Sequence, residues 1–168
     1  MPKAFPQLEL DQQFCFALYT ACHAVMRSYR PLLADVELTY PQYLAMLAIW
    51  DHPDQSQTVG TIGQRLHMEN GTLTPILKRL ETAGFVSRVR DRDDERRVLV
   101  TVTEAGLALR EQVASVPEAL AACVGIDAAV GIRLRDELKE LVVALERSES
   151  VGSPAHTVDQ GTLYESRR

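Results

Sequence analysis

The side chains best able to do chemistry are three thiols, Cys15, Cys22 and Cys123. Their number is odd and their spacing holds no C-x-x-C pair, so neither a disulfide framework nor a zinc site is expected. That leaves thiol reactivity as the reason to single them out. Cys22 and His23 are adjacent, and on a helix such neighbours face different directions, so they do not form a chelating pair. No metal or cofactor is expected. Cys15, Cys22 and Tyr29 recur at seven-residue intervals and share one helix face. Cys15 and Cys22 would lie about 10.5 Å apart along a straight helix. A disulfide requires Cα atoms within about 7 Å, so the two cannot bridge within one chain. Tyr29 would be about 21 Å from Cys15 on that helix and could meet it only from another chain, whereas Tyr19, one turn on, could reach it locally. For Cys22 the expected role is that of a small buried hydrophobe.

A second constellation is polar and basic. Asn70, Thr72, Thr74, Lys78 and Arg79 would lie on the exposed face of one short helix. Arg92, Asp94 and Arg96 lie in a charged stretch between two alternating segments. Hydroxyl, amide and cationic groups on a helix suit the base edges and phosphates of a DNA major groove, and arginines at a hairpin tip suit a minor groove or phosphates. The net charge of −5 argues the other way, but the charge is uneven. Residues 61–97 carry eight Lys/Arg against six Asp/Glu, and the remainder ten against seventeen. A local basic surface on an acidic body can still engage phosphates.

These groups must be positioned by a mainly helical chain. Apolar residues at three- and four-residue spacing, from Cys15 and Leu18 to Met26 and Tyr29, predict a helix over 9–33. Thr39 as N-cap with Pro41 just inside predicts a second, to about Asp51, with Tyr43, Leu44, Leu47 and Trp50 inward. Thr58 caps a short third helix with Val59, Ile62 and Leu66 inward. Asn70-Gly71 reads as a turn, and a fourth helix starts near Asn70 or Thr72. Pro75 favours the later start, and Gly84 ends the helix after Ala83. The period then changes to two over 85–90 and 98–102, a β-hairpin with a polar tip. Thr103 begins a helix over about 104–123, Gly125 interrupts, and Asp127 caps a last helix to about Glu146. Residues 1–8 read as an N-terminal arm. The polar residues 147–168 read as a mobile tail, within which Leu163-Tyr164 could dock.

The 168 residues suit one domain, and 46% hydrophobic with 24% charged residues is globular usage, not that of a disordered chain. No apolar run reaches about 18 residues, and the start lacks the apolar core of a secretory signal. A cytoplasmic protein without membrane contact is expected.

Two short helices joined by a tight turn and followed by a hairpin make a winged helix-turn-helix. Over residues 58–106, from T-V-G-T-I-G-Q-R-L through Asp94-Glu95-Arg96 to L-V-T-V-T-E-A-G, the chain resembles the core of MarR-family regulators, and the resemblance extends over about 9–146. It implies a DNA-binding repressor, an interleaved homodimer joined by its first and last helices, and a wing arginine, Arg96, oriented by Asp94. Two such heads related by a twofold axis would meet successive major grooves about 34 Å apart, so a palindromic operator is expected.

The runs Q-F-C-F-A-L-Y-T-A, Y-R-P-L-L and L-T-Y-P-Q-Y-L-A-M-L resemble the organic hydroperoxide regulator branch (OhrR) of that family. This resemblance implies that Cys15 is the peroxide sensor, with Tyr29 and Tyr40 of the other chain hydrogen-bonded to it and Tyr19 near the site. Cys123 matches the region where some members carry a second cysteine that bonds the sensor across the dimer. In other members a small thiol caps the oxidised sensor instead. A thiolate attacks a hydroperoxide and becomes a sulfenic acid. Tyrosine hydroxyls stabilise a thiolate by donating hydrogen bonds, and Phe14, Phe16 and Leu18 favour alkyl or lipid hydroperoxides as inducers. The expected function is thus a repressor released from its operator when Cys15 is oxidised. Its competitors are a MarR-type repressor that answers a small aromatic ligand, a thiol peroxidase, and a partner-binding module.

Overall fold

The computed structural model describes residues 5–150, and most of the tail expected at 147–168, with Leu163-Tyr164, lies outside them. They fall into two compact units that meet in sequence between Gly125 and Ile126. The first holds helices α1 (Phe14–Leu32), α2 (Tyr40–Trp50), α3 (Val59–Leu66), α4 (Asn70–Thr82), α5 (Glu104–Gln112) and α6 (Val116–Val124). With them runs an antiparallel sheet of β1 (Gln57–Thr58), β2 (Val86–Arg90) and β3 (Val98–Val102) in the order β1-β3-β2. The second is helix α7 (Ala128–Ser150). The architecture is therefore mainly α with a small hairpin wing: a winged helix-turn-helix. No single helix among the described residues is long and apolar enough to cross a membrane.

The first helix begins later than its periodicity predicts. Residues Pro6–Leu8 and Leu10–Gln12 form two 3-10 turns instead. The Gln13 side chain donates to the carbonyls of Gln7 at 2.7 Å and Glu9 at 3.1 Å, which pins those turns back on themselves. On α2 the capping box forms, and the Thr39 N–H donates to Gln42 Oε1 at 2.8 Å. The predicted inward stripe of α2 is only half right. Tyr43 and Trp50 are buried, but Leu47 is 39% exposed while Ala45, Met46 and Ile49 are in the core. Helices α1, α3, α4 and α5 and strand β3 all pack on α2, so its buried arc is far wider than a stripe.

Asn70-Gly71 is not a turn but the first turn of α4, and Pro75 does not delay the start. Thr72 and Leu73 both donate to the Glu69 carbonyl at 3.0 Å. Pro75 leaves the Gly71 carbonyl without its helical donor, but both residues are exposed and water can serve instead. The actual turn after α3 runs through His67, whose φ of 50° lets the Met68 N–H reach the Gly63 carbonyl at 2.9 Å.

The hairpin pairs in register from Val86↔Val102 to Arg90↔Val98. The third strand, β1, is two residues long and too short to show a period. It is held because Gln57 Nε2 donates to the Ile49 carbonyl at 3.1 Å at the end of α2. Thr103 caps α5 as expected, accepting from the Gly106 N–H at 3.1 Å. A Cβ at Gly106 would sit 2.1 Å from the Phe85 carbonyl oxygen, so only glycine lets α5 close on the hairpin base. Trp50 Nε1 donates to the Gly106 carbonyl at 2.9 Å and ties α2 to the same point. The helix expected over 104–123 is broken into α5 and α6. Val113 and Val116 both turn into the core, and Pro117, lacking an N–H, sits in the first turn of α6 where none is needed. Asp127 caps α7, accepting from the Ala129 N–H at 2.8 Å, and that helix runs past Glu146 to Ser150.

Candidate DNA interface and thiol site

Helix α4 is mounted by its buried edge. Leu73, Leu77 and Leu80 are fully enclosed, and Asn70, Thr72, Thr74, Lys78 and Arg79 are exposed. The mounting depends on a close approach to α3. A Cβ at Gly63 would come within 2.8 Å of the Met68 carbonyl oxygen and 3.5 Å of Asn70 Oδ1. Helix α3 is itself started by Thr58, whose Oγ1 accepts from the Thr61 N–H at 3.0 Å.

At 100° per residue the exposed residues of α4 divide between two flanks. Asn70, Thr74 and Lys78 descend one flank, and Thr72 and Arg79 the other. Asn70 and Thr74 line a groove of about 380 Å³ together with Arg96, Arg88, Arg97 and the α3 start at Thr58–Gly60. The structure thus brings Asn70, Thr74 and Arg96 together, while Thr72, Lys78, Arg79 and Arg92 lie outside that groove. Arg88, Arg97 and Thr58 are the residues that sequence reasoning missed. The signal for Arg88 was its place in the hairpin alternation, on the same side as buried Val86. Its guanidinium pairs with Glu81 at 3.3 Å, and its Nε is buried without a hydrogen-bond partner. Arg88 therefore lines the groove with its charge paired to Glu81.

The wing tip is a hydrogen-bonded turn. Asp94 Oδ1 accepts from the backbone N–H of Arg96 at 3.0 Å, and the Arg97 N–H donates to the Asp94 carbonyl at 2.9 Å. Asp94 thus fixes the backbone of the turn at Arg96. Asp91 pairs with Arg97 at 3.6 Å and closes the neck of the tip.

Cys15 sits in the first turn of α1, and Cys123 near the end of α6. All three thiols are free and exposed. Cys22 was expected to be buried, but in the single chain it is exposed on α1. Tyr29 stacks on Tyr40 with ring centroids 4.3 Å apart, and Tyr43 lies 5.8 Å from Tyr29. Burial raises all three phenols above the ordinary tyrosine pKa, so they remain protonated donors at neutral pH. On Tyr40 the neighbouring Tyr29, then Cys22 and Tyr43, add to that effect. Tyr19 is exposed and packs instead on His23, with centroids 4.3 Å apart. The chain thus gathers Tyr29, Tyr40 and Tyr43 into one cluster.

The family profile described as transcriptional regulator SarA/Rot matches residues 27–113. The organic hydroperoxide resistance transcriptional regulator of Bacillus subtilis is 39% identical over 145 residues, spanning 86% of this chain and 92% of that protein. Among solved structures, reduced AbfR bound to DNA superposes with a TM-score of 0.68 at 32% identity, covering 83% of this chain and 96% of the other. Disulfide-formed AbfR gives 0.57 at 35% identity, covering 81% and 94%; AbfR comes from Staphylococcus epidermidis. With its winged helix-turn-helix, its charged wing and these relatives, the chain belongs to the MarR family of transcriptional regulators, in the organic hydroperoxide resistance branch.

Proposed function

We propose that the protein is a homodimeric repressor that leaves a palindromic operator when an organic hydroperoxide oxidises Cys15. In this reading residues 9–146 work as one regulator domain, with the DNA-reading core at 58–106. Asn70, Thr74 and Lys78 on one flank of α4, with Thr72 and Arg79 on the other, contact the major groove. Arg96 and Arg92 of the wing contact the minor groove and phosphates, with Asp94 holding the turn.

The observation that carries the sensor is the pairing of an exposed Cys15 with a protonated Tyr29–Tyr40 pair elsewhere along the same chain. A twofold dimer can bring the tyrosines of one chain to the thiol of the other, and Tyr19 then flanks that thiol locally. Dimerisation is supported by apolar side chains that their own chain leaves open: Phe14 and Val25 on α1, Val124 on α6, and Val130, Leu134, Leu138 and Leu145 on α7. The family resemblance assigns the resolving thiol to Cys123. The relative AbfR has been solved both reduced on DNA and with a disulfide formed, which supports a redox switch.

A second reading has its own observation. A groove of about 520 Å³ is lined by Arg27, Arg30, Met26, Leu38 and Tyr40 and would suit a small aromatic acid. One measurement separates the two. Operator binding is followed by fluorescence anisotropy before and after one equivalent of cumene hydroperoxide, for the wild type and Cys15→Ser. Release reversed by dithiothreitol in the wild type, with none in Cys15→Ser, is the expected result. Release from Cys15→Ser would sink the sensor, and indifference of both proteins to peroxide would favour the ligand.

A further inference from the structure

We propose that the groove between α4 and the wing seats a backbone phosphate of bound DNA, and that Arg97 is the side chain that holds it. This rests on the DNA-binding reading above and adds a residue and a ligand group to it. With α4 in a major groove and the wing in the adjacent minor groove, one sugar-phosphate strand must run between them. The groove that α4 and the wing share is where that strand passes. It holds about 380 Å³, and the described residues that line it include Arg88, Arg96 and Arg97 but no acidic side chain.

Of the three arginines, Arg97 is both accessible and held in place. The Arg88 side chain is only 16% exposed and is committed to Glu81. The bond that holds Arg96 is to its backbone N–H. Arg97 is held at three points. Its N–H donates to the Asp94 carbonyl at 2.9 Å, and its own carbonyl accepts from the Asp91 N–H at 3.0 Å. Its Nε lies 3.6 Å from Asp91 Oδ2. The Asp91 side chain is 13% exposed, and its Oδ1 accepts from the Asp93 N–H at 3.1 Å, so the strut behind Arg97 is itself fixed. The Arg97 side chain is nevertheless 54% exposed. With Nε turned to Asp91, the two terminal nitrogens of the fork are left for a phosphate oxygen.

The α4 side of the groove supplies less. The Thr74 hydroxyl already donates to the Asn70 carbonyl at 2.7 Å, so it has no proton to offer a phosphate. Asp91 and Glu81, which brace Arg97 and Arg88, stand outside the lining, so an anion in the groove meets guanidinium groups first. An arginine fixed in advance loses little freedom on binding. A phosphate contact reads no sequence, but it sets the register of a protein on the duplex. Arg97 thus fixes where α4 and the wing stand relative to the strand that passes between them.

The test uses reduced full-length protein and a duplex selected for binding from a random-sequence pool. Affinity is measured by fluorescence anisotropy over a salt series, and on duplexes carrying one methylphosphonate at each backbone position in turn. One position in each half-site is expected to weaken wild-type binding about tenfold when its charge is removed. Arg97→Gln should lose that sensitivity and no other. Its plot of log affinity against log salt should be shallower by about two, one phosphate for each protomer. Its preference for the selected duplex over an unrelated one should be unchanged. Arg97→Lys keeps the charge and should keep the wild-type slope. An Arg97→Gln protein with the wild-type slope and methylphosphonate profile would overturn the proposal. So would an Arg97→Lys protein whose slope falls as far as that of Arg97→Gln, since Arg97 would then only brace the neck of the wing. If the wild type selects no duplex from the pool, the DNA-binding reading itself falls.

Discussion

The DNA-reading part and the helices that flank it solve the problem of burial differently. In the first, α3, α4 and the hairpin close on a core from their own chain, where Ile62, Leu73, Leu77, Leu80 and Val100 are fully enclosed. In the second, α1 and α7 carry large apolar side chains in the open: Phe14 is 60% exposed, Leu134 46% and Leu138 38%. On α7 the positions Val130, Leu134, Leu138, Leu141 and Leu145 step by four, four, three and four residues, the spacing of a helix seam. The first has a core of its own, and the second leaves apolar side chains uncovered by its own chain. Cys15, Cys22 and Tyr19 lie on α1 among those open side chains, so in the proposed sensor reading a change there would act where a second chain packs.

The sharpest way to break this contrast is to charge the open seam. Leu134→Glu with Leu138→Glu is expected to convert the dimer to monomer in analytical ultracentrifugation, since each unpaired charge buried at an interface costs about 3–5 kcal/mol. The far-ultraviolet signal of the helices should persist. A variant that stays dimeric would remove α7 from the interface.

Next in size is the closed core. Leu77→Ala is expected to lower stability by about 2–5 kcal/mol in urea unfolding, because the enclosed site cannot collapse on the space left. A cost near zero would show that this core is no better sealed than the flanking helices.

The smallest effect lies at the tyrosine cluster. Burial raises the pKa of Tyr29, Tyr40 and Tyr43. The folded state then holds these protons more tightly than the unfolded chain does. Their contribution to stability is complete below the free tyrosine value of about 10 and is lost as pH rises from there through the raised values. Tyr40→Phe is expected to flatten the fall in urea midpoint above about pH 10. An unchanged slope would mean that Tyr40 ionises as freely when folded as when unfolded.

Legibility followed range. The caps at Thr39, Thr58, Thr103 and Asp127 and the stop at Gly84 could be read directly, because each depends on bonds within a few residues. The wing could be read from its alternation. The break at 113–115 could not, because it depends on Val113 and Val116 both finding the same core. Strand β1 could not, because it depends on Gln57 reaching the end of α2. The wide burial of α2 was hidden because a stripe cannot show that a helix is covered from several sides. At the candidate interface the residue types on α4 were evident, but not which of them share a groove with the wing. Arg88 beneath the groove was also missed.

Sequence by itself determined the order and type of the elements other than β1 and the α5–α6 break, the polar face of α4, the charged wing tip and the seven-residue interval that keeps Cys15 and Cys22 from pairing within one helix. Each of these depends on helix and strand periods that the backbone imposes locally. Tertiary structure alone decided that Tyr29 stacks on Tyr40, that Cys22 is exposed, and that Asn70, Thr74 and Arg96 share one groove. Those contacts join residues distant in the chain, and only the packing of helices and sheet on a common core sets the distances between them.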